Sequence, residues 1–464
     1  MKIVVVGGGA HRVLGIVRSA LAVPGALEDG EICLVDLNPT RAEAMARILS
    51  MTPELRNSNT RIHWSQPLEG ALEGASVVGV IMPALSTRAM VVGEEICLRH
   101  GFIASDNVSP LGSFCGVKIA PTLLQIARLM ETRCPEALLV NFVNPVAVIS
   151  GMINNHTRIR TLGVCQGFTN HRWDIARIFG SDEEADHIEV TAAGVNHLSY
   201  ITGGTWKGGD LFDALRERLG PDWPIPELSE RWSESARTNI QNSVSQLVRF
   251  WRELGVLIFS TEGDGMAHLC YEEAVEMARR KHRVLSADEL KAFLASQAAS
   301  RQESNRAFEQ WAERDLDDAF WNTFGMQDHR FQRVDNDIFV RIFSALAGVR
   351  EERIVTSRRN EGAIVGFKDR EVVEYSQIIS KSGISHDGPY EVPEVVQGLT
   401  VGLSAHQTLL GDALATEDPE LLARALISYP INPFSRSSRA VFKDLLVAAN
   451  EEISPALRPA IQFL

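Results

Sequence analysis

The opening stretch, KIVVVGGGAHR over residues 2–12, constrains the fold more than any other part of the chain. A β-branched run ends in three glycines, and residues 13–21 then carry apolar side chains at helical spacing, which predicts a strand, a tight turn and a helix. Glycines let a backbone approach a pyrophosphate, and the helix N-terminus supplies N–H groups and a positive dipole end for it. Arg12 stands where the third glycine of G-x-G-x-x-G would be, so the turn alone also reads as a plain tight turn. A second strand, EICLV over 31–35, ends in Asp36 and the turn LNPTR. An acid at that tip is placed to hold ribose hydroxyls, and the two features together point to a dinucleotide. Asp36 favours NAD over NADP, with Arg41 keeping the phosphorylated form open. The expected cofactor contacts are Gly7, Gly8, Gly9 and His11 on the first turn, Asp36, Asn38 and Arg41 on the second, and Pro83 after the strand SVVGVIM.

Further along, a Gly-, Pro- and Asn-rich loop (DNVSPLGSFCG) precedes a helix over about 119–130, and the strand at 138–142 closes on Asn144 and Pro145. The βαβα order through about residue 190 predicts an open, mostly parallel, doubly wound α/β sheet of Rossmann-like type. Beyond it the pattern turns to alternating strand over 188–201 and then to long helical segments. The expected division is a nucleotide-binding domain over 1–195 and a C-terminal α+β, mostly helical domain over 196–464. Residues 285–318 read as a polar helix with a solvated face, an oligomer contact being the other reading.

A formal net charge of -13, from 59 Asp and Glu against 46 Lys and Arg, leaves no electrostatic footprint for nucleic acid and favours a small-molecule partner. No apolar run reaches the roughly 20 residues that a bilayer span needs. Lys2 leads straight into a strand without a signal-peptide pattern, and six scattered cysteines form no CxxC pair. Reduced thiols in a cytoplasm are the expectation, with no membrane partner.

Between Val140 and His197 three apolar runs each end in polar residues: Asn144, then Cys165 with Gln166, then Asn196 with His197. Ligands of open α/β sheets sit outside the carboxyl ends of strands, where these residues and the 106–112 loop fall. A lone cysteine is commonly a small buried hydrophobe and a lone histidine commonly structural. Together, one thiolate and one imidazole with open positions left over can hold a divalent ion that binds substrate oxygens. No G-x-S-x-G elbow or Walker motif is present, and no two-carboxylate glycosidase pair stands out.

The succession KIVVVGGG, SDNVSPLG, VNFVNPVAV, LGVCQG and AAGVNHLSYIT, continuing through GVLIFSTEGDGMAHL, NEGAIVGF and the EVP loop, resembles the NAD- and metal-dependent glycosidases of glycoside hydrolase family 4, a branch of the lactate and malate dehydrogenase superfamily. The subgroup acting on α-galactosides, α-glucosides and α-uronides looks nearer than the phospho-β-glucosidases. The resemblance implies an oxidoreductive hydrolysis, an exception to the two-carboxylate scheme. A hydride leaves C3 of the sugar for NAD+, the C2 proton is removed with metal assistance, the aglycone leaves C1, water adds, and the hydride returns. It further implies Mn2+ on Cys165 and His197, sugar contacts from Asn144, Gln166, Asn196 and His268, and Asp106 close to nicotinamide and sugar. Asp264 matches an acid/base position, and a homodimer or homotetramer is implied. Three departures stand out: Gln166 follows the ligand cysteine where related members carry His, Asn or Asp; LVRFWRELG replaces a tyrosine-rich stretch; and SDNVSPLG has fewer glycines than GDTxGPGG. The C2 base is therefore open, with Tyr200 and Asp264 as candidates.

The expected activity is NAD+- and Mn2+-dependent hydrolysis of a small α-glycoside or uronide. A net NAD-dependent dehydrogenase of a sugar or hydroxy acid is the alternative, and a silent sugar or nucleotide sensor a third.

Overall fold

A computed structural model describes residues 1–180, 182–220, 223, 234–258, 263–327 and 329–464. Six strands form the parallel half of the sheet: β1 (Lys2–Val6), β2 (Glu31–Val35), β3 (Arg61–Trp64), β4 (Val77–Val80), β5 (Leu138–Asn141) and β6 (Thr161–Gly163). They lie in the order β3-β2-β1-β4-β5-β6, all neighbours parallel. This is the doubly wound arrangement, with its switch point between β1 and β4. Their side chains are buried on both faces, except on β3 at the edge, which is why β1, β2, β4 and β5 read as unbroken apolar runs and the polar RIHW did not stand out as a strand.

The sheet continues across the expected domain boundary. The strands β7 (Ile188–Val195), β8 (Leu198–Trp206), β9 (Gly209–Asp210), β10 (Glu352–Arg359), β11 (Val372–Ser380) and β12 (Gly383–Ser385) extend it antiparallel in the order β10-β11-β7-β8-β9, with β12 pairing β11. The junction between the halves is the β6–β10 pair, registered at Gly163 and Ser357. A mixed sheet with helices packed about it is thus the frame for both halves.

The Gly-, Pro- and Asn-rich segment differs from expectation. The helix starts at Pro110 rather than near 119, and runs to Arg133. Ser109 caps it by accepting from Gly112 N, and Pro110 occupies the first turn, where its missing N–H costs nothing. The loop is thereby shortened, and Ser105 to Val108 are drawn in beside the β7–β8 turn. All six cysteines are free, and among the described residues no helix is long and apolar enough to cross a membrane.

Candidate active site

The first turn owes its shape to Gly7, at φ +86°, where a Cβ would fall 1.8 Å from the Ile81 carbonyl oxygen. The amides of Gly7 and Gly8 donate to the Val35 carbonyl at 2.8 and 2.9 Å, tying the turn to the end of β2. Asp36 Oδ2 accepts from Gly9 N at 3.0 Å and its Oδ1 from Asn38 N at 2.9 Å, and Asn38 caps the next helix by accepting from Arg41 N. These residues line a cleft of about 680 Å³ at the ends of β1, β2 and β4, together with His11, Pro83 and Gln125. Gly8 faces the sheet instead, where a Cβ would meet Leu34 Cβ at 2.7 Å. The Arg41 guanidinium is committed inward: Nε donates to the Gly9 carbonyl, Nη1 donates to Asn305, and the group stacks 4.2 Å above the Phe308 ring. The cleft has the glycine turn and acidic tip of a dinucleotide site.

A second cluster forms beyond β6 and at the β7–β8 turn. Cys165 Sγ and His197 Nε2 stand 3.6 Å apart. A sulfur about 2.3 Å and a nitrogen about 2.1 Å from one ion, subtending a tetrahedral angle, would be separated by roughly 3.6 Å, so this pair fits a shared divalent metal. Among the described residues no group of three or more His, Cys, Asp and Glu side chains is poised to hold a metal. His197 sits in the turn at φ +66°, a backbone region unusual for a non-glycine residue. Its ring is oriented from behind: Nδ1 donates to Asp264 Oδ1 at 2.7 Å.

Asp264 lies in the first turn of the short helix Gly263–Ala267 and is saturated with donors. Besides His197 it accepts from Gly265 N at 2.8 Å, Ser105 Oγ at 2.7 Å and Val108 N at 3.3 Å. Burial opposes its ionised form, but the imidazolium of His197 and the Ser105 hydroxyl outweigh it and hold the carboxyl well below the usual range. Burial likewise opposes a charge on His197, and the Asp264 carboxylate outweighs it, raising that imidazole. His268 Nδ1 donates to the Asp264 carbonyl at 2.8 Å, and its Nε2 accepts from Tyr429 OH at 3.0 Å. Burial lowers its basicity, so it is a neutral bracket beneath the cluster.

The structure brings Cys165, His197, Asp264 and His268 together and turns other candidates elsewhere. Asn196 is buried, with Nδ2 donating to Glu374 at 2.8 Å and Oδ1 accepting from Asn107 at 2.6 Å. Gln166 Oε1 accepts from Arg12 at 2.9 Å and from Ile338 N at 3.3 Å. Arg12 also pairs with buried Asp337 at 2.6 Å and lies over the Phe142 ring, so the residue in place of the third glycine links the cofactor turn to the residue after Cys165. Asn144 and Asp106 are half-buried, and neither supplies the hydrogen bonds that tie the loop to the cluster. Tyr200 is fully buried in β8; Ser199 beside it donates to Glu374, so alternation sends Tyr200 to the other sheet face, and burial raises its hydroxyl's pKa. Phe259 to Glu262 of the GVLIFSTEGDGMAHL stretch lie outside the described residues.

Glu374 is the partner that sequence reasoning missed. It is buried, accepts from Asn196 and Ser199, and has its carboxyl raised by burial. The available signal was a lone acid inside the apolar run VVEYSQII.

Sequence comparison supplies the decisive observation. The N-terminal family 4 glycosyl hydrolase model matches residues 2–180, and the family 4 C-terminal domain model matches 192–431.

The chain belongs to glycosyl hydrolase family 4.

Within this family it is 28% identical over 220 residues to an α-galactosidase of Bacillus subtilis, a match covering 47% of the chain and 50% of that protein. It is 22% identical over 465 residues to an α-galacturonidase of the same organism, covering 96% of the chain and 97% of that protein. In fold it is similar to the 6-phospho-β-glucosidase of Thermotoga maritima solved with manganese, NAD+ and glucose-6-phosphate, with a TM-score of 0.74, 16% identity, and 98% and 100% of the two chains covered.

Proposed function

We propose that this family 4 glycosyl hydrolase cleaves a small α-glycoside or uronide with NAD+ in the cleft beside Gly7, Gly9, His11 and Asp36 and Mn2+ on Cys165 and His197. The observation that carries the reading is the Cys165–His197 separation of 3.6 Å with Asp264 behind the imidazole, Cys165 being followed by Gln166, which accepts from Arg12 beside the cofactor turn. The α-galactosidase and α-galacturonidase relatives support the α and uronide choice.

When bound, NAD+ supplies a hydride acceptor for C3 of the sugar and the metal supplies Lewis acidity that makes the C2 proton removable. The chain's own part is positional. Asp36 and the glycine turn hold the dinucleotide, and Asp264 fixes the His197 tautomer so that Nε2 faces the metal. Asn144 and Asp106, half-buried at strand and loop ends, face the sugar. Asn196, Gln166 and His268 act through the neighbours they hold. Asp264 is committed to orientation and Tyr200 is sealed away, so the group that takes the C2 proton is assigned to neither. The division at 195/196, a homodimer or homotetramer and a cytoplasmic setting complete the reading.

The test is a panel of aryl α-glycosides, α-uronides and 6-phosphoglycosides of both anomers, assayed with and without NAD+ and Mn2+ and followed by deuterium exchange at C2. Release of sugar only with both cofactors, on α substrates and with C2 exchange, is expected. Activity that survives chelator and removal of NAD+ would overturn the proposal, and stoichiometric NADH accumulation would make the enzyme a dehydrogenase.

A further inference from the structure

The helix Ala287–Ala312 is polar along most of its length, and nothing in the chemistry above uses it. Its C-terminal end is anchored. Phe308 and Trp311 are buried against Phe331, which also packs on Phe320 and Trp321. Most of the residues over 287–303 are exposed or half-exposed. A helix fixed at one end by aromatic packing presents a single face to its neighbour, and here that neighbour is the cofactor cleft.

Three residues in the two turns before the anchor, Arg301, Ser304 and Asn305, occupy that face at i, i+3 and i+4, and all of them line the cleft. Ser304 Oγ lies 3.0 Å from His11 Nε2, at the first residue of the helix that follows the glycine turn. Asn305 Oδ1 accepts from Arg41. Arg301 Nη2 donates to the hydroxyl of Thr87 at 2.9 Å, and Thr87 is the first residue of the helix Thr87–Arg99. The same face thus touches the N-termini of two helices, of which the one starting at His11 opens on the cleft. Below, the Phe308 ring stacks on His11 with centroids 4.4 Å apart and planes 7° from parallel.

The charges around the cleft give Arg301 a purpose. Asp36 and Glu69 line it with negative charge, in a chain of net charge -13, and a dinucleotide adds two more negative charges in its pyrophosphate. Arg12 is turned away onto Asp337, and Arg41 is pinned under the turn. Among the described residues Arg301 is the other arginine on the cleft wall, exposed and carried on the outer side. We propose that Arg301 is a cofactor-binding residue delivered by the Ala287–Ala312 helix, its guanidinium pairing with the pyrophosphate while Ser304 and Asn305 hold the helix against the turn. A planar, always charged fork suits two phosphate oxygens better than a lysine does. The helix becomes the outer wall that retains the dinucleotide, which a reaction with no net redox change needs between turnovers. This rests on the NAD+ reading of the cleft.

Calorimetric titration of the full-length protein with NAD+ and, separately, with adenosine tests it without recourse to activity. Arg301→Ala is expected to weaken NAD+ about tenfold, leave adenosine unchanged and reduce the salt dependence of NAD+ binding, with Arg301→Lys falling between. Arg306→Ala, an exposed arginine on the same helix that does not line the cleft, is expected to match wild type. The proposal is overturned if Arg301→Ala binds NAD+ like wild type, if Arg306→Ala loses as much, or if NAD+ and adenosine weaken together. Wild-type protein that binds no NAD+ would instead remove the cofactor reading of the cleft itself.

Discussion

Asp264 Oδ1 lies 2.7 Å from His197 Nδ1, and the opposite nitrogen of that ring lies 3.6 Å from Cys165 Sγ. A carboxylate behind an imidazole fixes the tautomer and raises the basicity of the metal-facing nitrogen. Because Asp264 also accepts from Gly265 N, Ser105 Oγ and Val108 N, its oxygens are spent on orientation.

Asp264→Asn is therefore expected to weaken Mn2+ binding by about 10–100-fold, as seen when such supporting partners are lost. Electron paramagnetic resonance of free Mn2+ during titration measures it. Unchanged Mn2+ affinity with lost turnover would instead make Asp264 an acid or base in the chemistry.

Gly265 packs on the turn it supports: a Cβ there would stand 1.5 Å from the His197 carbonyl oxygen, which is rigid backbone. Gly265→Ala is expected to lower stability by about 1–3 kcal/mol or more, in the range of overpacked interiors, and to reduce Mn2+ affinity together with it. Thermal unfolding and the same Mn2+ titration check both effects.

How much of this was legible in the sequence follows from range. The glycine turn, Asp36, Cys165 and His197 stand at strand ends that local apolar runs announce. Asn196 meets Glu374 through the β7–β11 pairing, and Gln166 meets Ile338 at the N-terminus of the helix Ile338–Ala347, partners far along the chain that no local pattern encodes. Ser109 and Pro110 read as loop composition, yet they are a cap and first-turn residue. The 285–318 segment reads as a solvated helix because an arginine facing a cleft and an arginine facing water look alike in sequence.

His406 gives a pH test of the scaffold beneath the loop. It is buried, with Nδ1 donating to the Ala425 carbonyl at 2.8 Å and Nε2 accepting from Ser113 at 2.9 Å, and burial lowers its pKa from 6.5 to about 4. The folded state thus binds fewer protons than the unfolded one between pH 6.5 and 4. Stability is fully present above pH 6.5 and falls as the pH drops toward 4, by on the order of 2–3 kcal/mol from this group at pH 4.5. Urea midpoints at pH 7 and 4.5 should diverge more in wild type than in His406→Gln.

Arg12 and Asp337 are expected to be strongly coupled, since Asp337 is buried, with burial raising its carboxyl against the pull of Arg12. Arg12→Met alone should cost about 3–5 kcal/mol by stranding that carboxyl. Adding Asp337→Asn should recover about 1–3 kcal/mol, a coupling that a double-mutant cycle in urea reads directly.

The single registered pair between Gly163 and Ser357 makes β6 an interior strand only while the later half of the chain is present. Cut at residue 180, the nucleotide-binding half would end in a bare row of peptide donors and acceptors, a template for self-association. Such a fragment is expected to elute as oligomers on size-exclusion chromatography, and addition of the separate 181–464 piece to disperse them, so that dissecting this enzyme into portable modules meets its obstacle at one short strand.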